Sequence, residues 1–240
     1  MSQLSFEPAV SSAASPLSSA VLSPVTPVIS NDGLLSASRN IAFVDAGLAS
    51  VDTLIAGLED TQIVLIEGEQ DGIAQITSAL ANAENLDAVH IFSHGSDGLL
   101  QLGNTLRSNA NVEGYGESLQ QWSAALSAEA DLMIYGCNLA AGTEGLSLLS
   151  RLGELTGAVV AASDDVTGVG GDWELEIAVG EIESSVVLSE AVQASYEGEL
   201  ALLTNGDFES GLSGWRAFRG SESITTDAVS GSSALEIGGT

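Results

Sequence analysis

Between residues 40 and 162 the chain alternates short apolar blocks with stretches of helical spacing. The blocks are 41–44 (IAFV), 62–66 (QIVLI), 88–92 (AVHIF), 132–135 (LMIY) and 158–162 (AVVAA). Near-continuous apolar runs of that length mark strands buried on both faces. Between the blocks, apolar residues fall three and four apart: Leu48, Val51, Leu54, Ile55 and Leu58; Ile73, Ile76 and Leu80; Leu119, Trp122 and Leu126; Leu146, Leu148, Leu149 and Leu152. That spacing predicts helices over 48–58, 71–83, 117–128 and 144–156. Strands alternating with helices predict an α/β three-layer sandwich around a mostly parallel central sheet, with right-handed crossovers.

Around this repeat the pattern is less regular. Residues 99–102 read as a brief extended piece and 103–116 as a polar loop. A Gly/Asp-rich loop over 164–172 precedes an alternating stretch, WELEIAV at 173–179, expected to be an antiparallel strand, and 182–188 has the makings of one more. Residues 1–38 hold all four prolines and no period, which predicts a disordered leader. The expected division is leader 1–38, α/β domain 39–198, and from 199 to 240 a β-rich tail that starts a truncated β-sandwich module.

Charge narrows the partners. The chain has 33 acidic residues against five arginines and no lysine, for a net charge of −28. Nucleic acid and anionic membranes both require a basic surface, so neither is an expected partner. No apolar run approaches the ~20 residues of a membrane span. The opening MSQLSFEPAV has neither a basic residue nor a continuous apolar core, so no N-terminal secretory signal is expected. Acidic, lysine-free chains rich in Gly, Ser and Ala resemble large secreted bacterial surface proteins, which implies an extracellular or cell-surface location.

Candidate chemistry sits at two strand ends. VHIFSHG delivers His94 beyond one apolar strand, and LMIYGC delivers Cys137, the single cysteine, beyond another. In open α/β sheets, ligands and chemistry gather at the carboxyl ends of the strands. Asp45, His94, Cys137 and Ser163 should therefore share one edge. Cys137 is the candidate nucleophile, and a thiol with a free pKa of about 8.5 needs a nearby base or cation. His94 is the candidate base, while His90, four residues earlier inside the strand, reads as structural. Gly95 and Gly136 leave room for a substrate backbone. Asp45, Asp164 and Asp165 are candidates for a substrate pocket, although Asp45 also suits a helix cap. One cysteine and two histidines do not make a closed zinc site. GVGGDW precedes a strand rather than a helix, so it is no phosphate loop. No motif calls for a metal or cofactor; calcium is left open, since the sequence does not show it.

These words carry a resemblance. FVDAGLASVDTLIAGL, VHIFSHGSDGLLQLGN, LMIYGCNLAAG and GGDWELE resemble a bacterial domain of unknown function, DUF4347, found near the start of large adhesin-type surface proteins. The two strand ends are also similar to those of the caspase-like cysteine peptidases. The resemblance implies a caspase-like fold with a Cys137–His94 dyad, and the backbone N–H groups of Gly95 and Cys137 facing the oxyanion. It also implies a peptide substrate or the protein's own chain. NGDFESGLSGW resembles the opening of galactose-binding-like, carbohydrate-binding modules, which implies cell-surface glycans as a second partner. Self-cleavage, if directed by Asp164 or Asp165 toward arginine, would fall after Arg39 or Arg107. The competing expectation is a folded module without catalysis, used for display or export.

Overall fold

The computed structural model describes residues 39–202, together with the backbone of two strands at Ser221–Thr225 and Ala234–Gly238. The expected leader, most of the tail with its carbohydrate-binding-like words, Arg216 and Arg219 lie outside the described residues.

The apolar blocks become the central strands β1 (Asn40–Asp45), β2 (Gln62–Ile66) and β3 (Leu86–Phe92). A small antiparallel meander comes next: β4 (Gly95–Ser96), β5 (Leu99–Leu102) and β6 (Thr105–Arg107). The main sheet resumes with β7 (Leu126–Tyr135), β8 (Val159–Ala162) and β9 (Ile177–Val179). Its order is β2-β1-β3-β7-β8-β9, with every pairing parallel except the last. The tail strands β10 (Ser221–Thr225) and β11 (Ala234–Gly238) form a separate antiparallel pair.

Alternate residues of the buried strands serve two cores, as a period of two requires. Ile41, Phe43, Val89, Ile91, Leu132, Ile134, Val160 and Ala162 face one side. They meet Ile73, Ile76 and Leu80 of α2 (Gly72–Leu80), Leu119 and Trp122 of α3 (Gly116–Trp122), and Leu148, Leu149, Leu152 and Leu155 of α4 (Thr143–Thr156). Ala42, Val44, Phe92, Met133, Tyr135 and Cys137 face the other side. There they meet Leu54 of α1 (Val51–Gly57), Val192 of α5 (Glu190–Ser195), Trp173, Tyr196 and Leu200. This is the expected three-layer α/β architecture. Among the described residues, no helix is long and apolar enough to cross a membrane.

Several local expectations are corrected. The helix expected over 117–128 ends at Trp122, because the N–H groups of Ala124 and Ala125 fold back onto the carbonyls of Gln121 and Trp122. Leu126 then pairs with Leu86, so residues read as helical open β7. The expected polar loop 103–116 contains β6 and a 3₁₀ turn at Val112–Tyr115. Residues 182–188 form no strand; Leu188 makes a single bridge to Leu58. The 173–179 strand shrinks to β9, with the expected antiparallel sense.

Candidate active site

Because β1, β3, β7 and β8 run parallel, Asp45, His94, Cys137 and Ser163 all lie at one edge, at or just past their strand ends. The register sets Phe92 opposite Tyr135, and the Ser93 N–H extends the ladder to the Tyr135 carbonyl at 3.1 Å. Two residues along both chains, that register brings His94 opposite Cys137. Their loops touch through glycine. A Cβ on Gly95 would stand 2.9 Å from the Gly136 carbonyl carbon and 3.1 Å from the Cys137 oxygen, so no larger residue fits there without moving the backbone.

The Cys137 thiol is fully buried. Sγ accepts from the Thr167 N–H at 3.2 Å and lies 3.4 Å from the Thr167 carbonyl, to which the thiol donates. Burial pushes its pKa up to about 11, partly offset by the Thr167 N–H; the nearby Glu199 charge adds to the rise. The apolar wall beside it is aromatic. Phe92 and Tyr135 stack at 4.3 Å, and Trp173 meets Tyr196 edge-on at 5.4 Å. His94 is half-buried; its backbone carbonyl accepts from Gln101 N–H at 2.9 Å, and its Nδ1 is buried without a hydrogen-bond partner among the described residues. His90, by contrast, is fully enclosed in β3, 3.5 Å from the Tyr135 hydroxyl, and burial holds its pKa down to about 4. It is therefore neutral across the physiological range.

The backbone N–H groups of Gly95 and Cys137 converge on one oxygen. Both donate to the carbonyl of Leu200, at 2.9 and 3.2 Å. Leu200 was placed by sequence in the tail, two residues past the expected domain, yet it is fully buried in the same apolar cluster as Cys137, Trp173 and Tyr196. Sequence reasoning missed Leu200, Thr167, Trp173 and Tyr196 as neighbours of the thiol. The signal available was the glycine pair Gly168 and Gly198, which flanks the close approach.

The acidic candidates sit at or just past the ends of β1 and β8. Asp45 is buried as a latch, accepting from the Gly47 N–H at 2.8 Å and the Gly103 N–H at 3.2 Å. Asp164 donates its N–H to Glu176, and Asp165 is exposed, with its backbone carbonyl receiving the Asn138 N–H. The Asp165 carboxylate accepts from Ser163 Oγ at 3.4 Å. Asp97 accepts the Gly145 N–H in the first turn of α4. Arg107, expected in a flexible loop, is buried: it pairs with Asp71 at 2.9 Å and sits 3.7 Å over the Tyr115 ring. A protease needs flexible backbone, so Arg107 is a poor cleavage point. Asp165, Asp172 and Glu176 bring carboxylate oxygens within 4.8 Å of one another, all three exposed. Exposed acidic groups like these are common without an ion, and on so acidic a chain the cluster carries no assignment. A surface groove lined by Arg39, Asp87, Ser127 and Glu183 lies at the opposite, amino-end edge of the strands, away from this chemistry.

A doubly wound α/β domain with a thiol and an imidazole on neighbouring strand ends is the class that fold and site define. Residues 41–200 match the family described as "Domain of unknown function (DUF4347)", and the chain belongs to that family. No curated protein and no solved structure matches the chain.

Proposed function

We propose that residues 39–202 form a caspase-like cysteine peptidase or self-processing domain of a secreted, adhesin-type bacterial surface protein. One observation carries this reading: the backbone N–H groups of Gly95 and Cys137 point at a single carbonyl oxygen, that of Leu200. Two preorganised donors on one oxygen are what a tetrahedral oxyanion requires, and losing one such donor typically costs about 10²–10³ in rate. The unpartnered Nδ1 of His94 supports the role of base, since a buried orphan nitrogen costs stability and calls for a reason. In this reading Cys137 attacks, His94 takes and returns the proton, and Gly95 and Cys137 hold the oxyanion. The acidic, lysine-free composition supports the extracellular setting. Glycan binding by the tail rests on the NGDFESGLSGW resemblance alone.

A second reading, a folded display or export module without catalysis, is favoured by the enclosed thiol and its raised pKa. The test is hydrolysis of a pool of fluorogenic peptides by the wild type, Cys137→Ala and His94→Ala. Turnover lost in both variants supports the peptidase. Equal, background turnover in all three, with thiol labelling also unchanged by His94→Ala, favours the module.

A further inference from the structure

Residues 198–202 (GELAL) run extended across the strand ends, and their backbone is held along its length. The Gly198 carbonyl accepts from the Val169 N–H at 2.8 Å. The Leu200 N–H donates to the Thr167 carbonyl at 3.1 Å, and the Leu200 carbonyl takes the N–H groups of Gly95 and Cys137. Beyond it, the Leu202 N–H donates to the Gly95 carbonyl at 2.8 Å. The segment thus adds an antiparallel partner to 167–169, bridged at Gly168 and Glu199, and a parallel one to Gly95, bridged at Ala201. Strand addition of this kind is how extended peptides dock, with main-chain bonds giving affinity and alternate side chains giving specificity. The peptide bond between Leu200 and Ala201 has ordered backbone on both sides, and its carbonyl alone occupies the two-donor position.

We propose that this segment is the domain's own substrate and that the bond cut is the one between Leu200 and Ala201. The inference rests on the peptidase reading above and specifies its substrate. The Cys137 thiol gives its proton to His94, and Sγ bonds to the Leu200 carbonyl carbon. The oxyanion that forms stays on the Gly95 and Cys137 N–H groups. The carbon–nitrogen bond to Ala201 then breaks, the nitrogen taking the proton from His94 and leaving as a free amine. Water attacks the thioester, releasing a Leu200 carboxylate and restoring the thiol. One water is consumed for one peptide bond. The recognised side chain is apolar: Leu200 is fully buried in the cluster that holds Trp173 and Tyr196. The reaction thus separates the α/β domain from the residues on its carboxyl side; the family match also closes at residue 200.

The test is intact mass and amino-terminal sequencing of the purified full chain as wild type, Cys137→Ala and His94→Ala. Wild type should yield one fragment ending in Leu200 and another beginning at Ala201, with both variants intact and equally folded by circular dichroism. An intact wild-type chain, a cut elsewhere, or a cut at this bond in Cys137→Ala overturns the proposal. A reporter, acetyl-Gly-Glu-Leu-aminomethylcoumarin, is added to full-length Leu200→Asp, whose own segment cannot stay seated, and to the same chain with Cys137→Ala. Cys137-dependent hydrolysis of the reporter with an intact wild type overturns the cis assignment and leaves the peptidase standing. No hydrolysis together with an intact wild type overturns both.

Discussion

The chain has one cysteine, so alkylation reports on Cys137 alone. His94→Ala is the informative background, because it keeps the thiol and, without its base, the uncut chain. Burial raises the thiol from 9.0 to about 11. At any pH well below both values the thiolate fraction falls about 100-fold, and the seated segment adds a steric barrier. The rate of iodoacetamide alkylation, read by intact mass, should be at least about 100-fold slower in folded His94→Ala than in the same chain in urea at pH 8, and still climbing at pH 10. Leu200→Asp should reverse this. A carboxylate cannot remain in an apolar cluster without partners, so the segment leaves and the thiol meets water. In the opened chain, at pH 7, an intact His94 should speed alkylation about tenfold over the Leu200→Asp, His94→Ala double variant. A folded rate within about threefold of the urea rate would refute the enclosure, and equal rates with and without His94 in the opened chain would refute the base.

The same titration carries a stability consequence whose sign can be worked out. The folded thiol holds its proton to about 11, whereas the unfolded one releases it near 9.0. Below pH 9 the contribution is fully present, and it is lost as pH rises from 9 toward 11, on the order of 2 kcal/mol in all. Urea midpoints at pH 8.5 and 10.5 should differ less in Cys137→Ala than in the parent chain.

His90 gives the opposite sign: its folded pKa is down at about 4, so its stability is present above pH 6.5 and lost as pH falls toward 4, on the order of 3 kcal/mol. Urea midpoints at pH 7 and 4.5 should fall less in His90→Gln than in wild type; parallel declines would contradict a buried neutral imidazole. Arg107→Ala removes a buried guanidinium from Asp71 and from the Tyr115 ring and should cost about 2–4 kcal/mol in urea denaturation; a loss under about 0.5 kcal/mol would mean the pair is solvent-screened. Gly168→Ala places a Cβ 2.5 Å from the Gly198 carbonyl at a φ of +104°, which should cost about 1–3 kcal/mol and speed alkylation of Cys137 by loosening the segment. Unchanged alkylation in that variant would show that Gly168 does not control access.

The central sheet was legible because each of its buried strands is an apolar block and each helix repeats at three and four. Leu126 misled for the same reason: it continues the spacing of Leu119 and Trp122, but pairing with Leu86 outweighs local periodicity. Val186, Val187 and Leu188 have strand-forming character yet no neighbouring strand to join; they pack on the second core instead. Arg107 falls in a stretch that reads as a polar loop because its carboxylate partner is tertiary. Asp71 is 36 residues away, and no local rule predicts that a helix-capping carboxylate will also hold a guanidinium. His94 and Cys137 were legible because a parallel sheet collects strand ends at one edge, whatever their separation in sequence.

The segment that closes the site was not legible. GEL at 198–200 has no period and sits between a short helix and a tail of different composition, so it reads as a connector. Only the folded chain shows that its carbonyl meets two N–H groups 105 and 63 residues upstream, those of Gly95 and Cys137. That contact also changes how the raised thiol pKa bears on function. Its largest cause is burial, and Leu200 is part of the apolar cluster that buries the sulfur. On the self-cleavage proposal, a neutral thiol is the expected resting state of a nucleophile with its substrate already seated; on the module reading, the same burial marks a core cysteine. In such a site the proton must move to His94 as Sγ approaches the carbonyl carbon, because a free thiolate is too costly in the closed cleft. Rate should then depend on His94 most steeply while the segment is bound. In a single-turnover assay at pH 8, self-cleavage should proceed in the wild type, be lost in His94→Ala, and not wait for a thiol that ionises near 11. Cleavage that set in only above about pH 10 would mean that the thiolate forms without help, and His94 would lose its role.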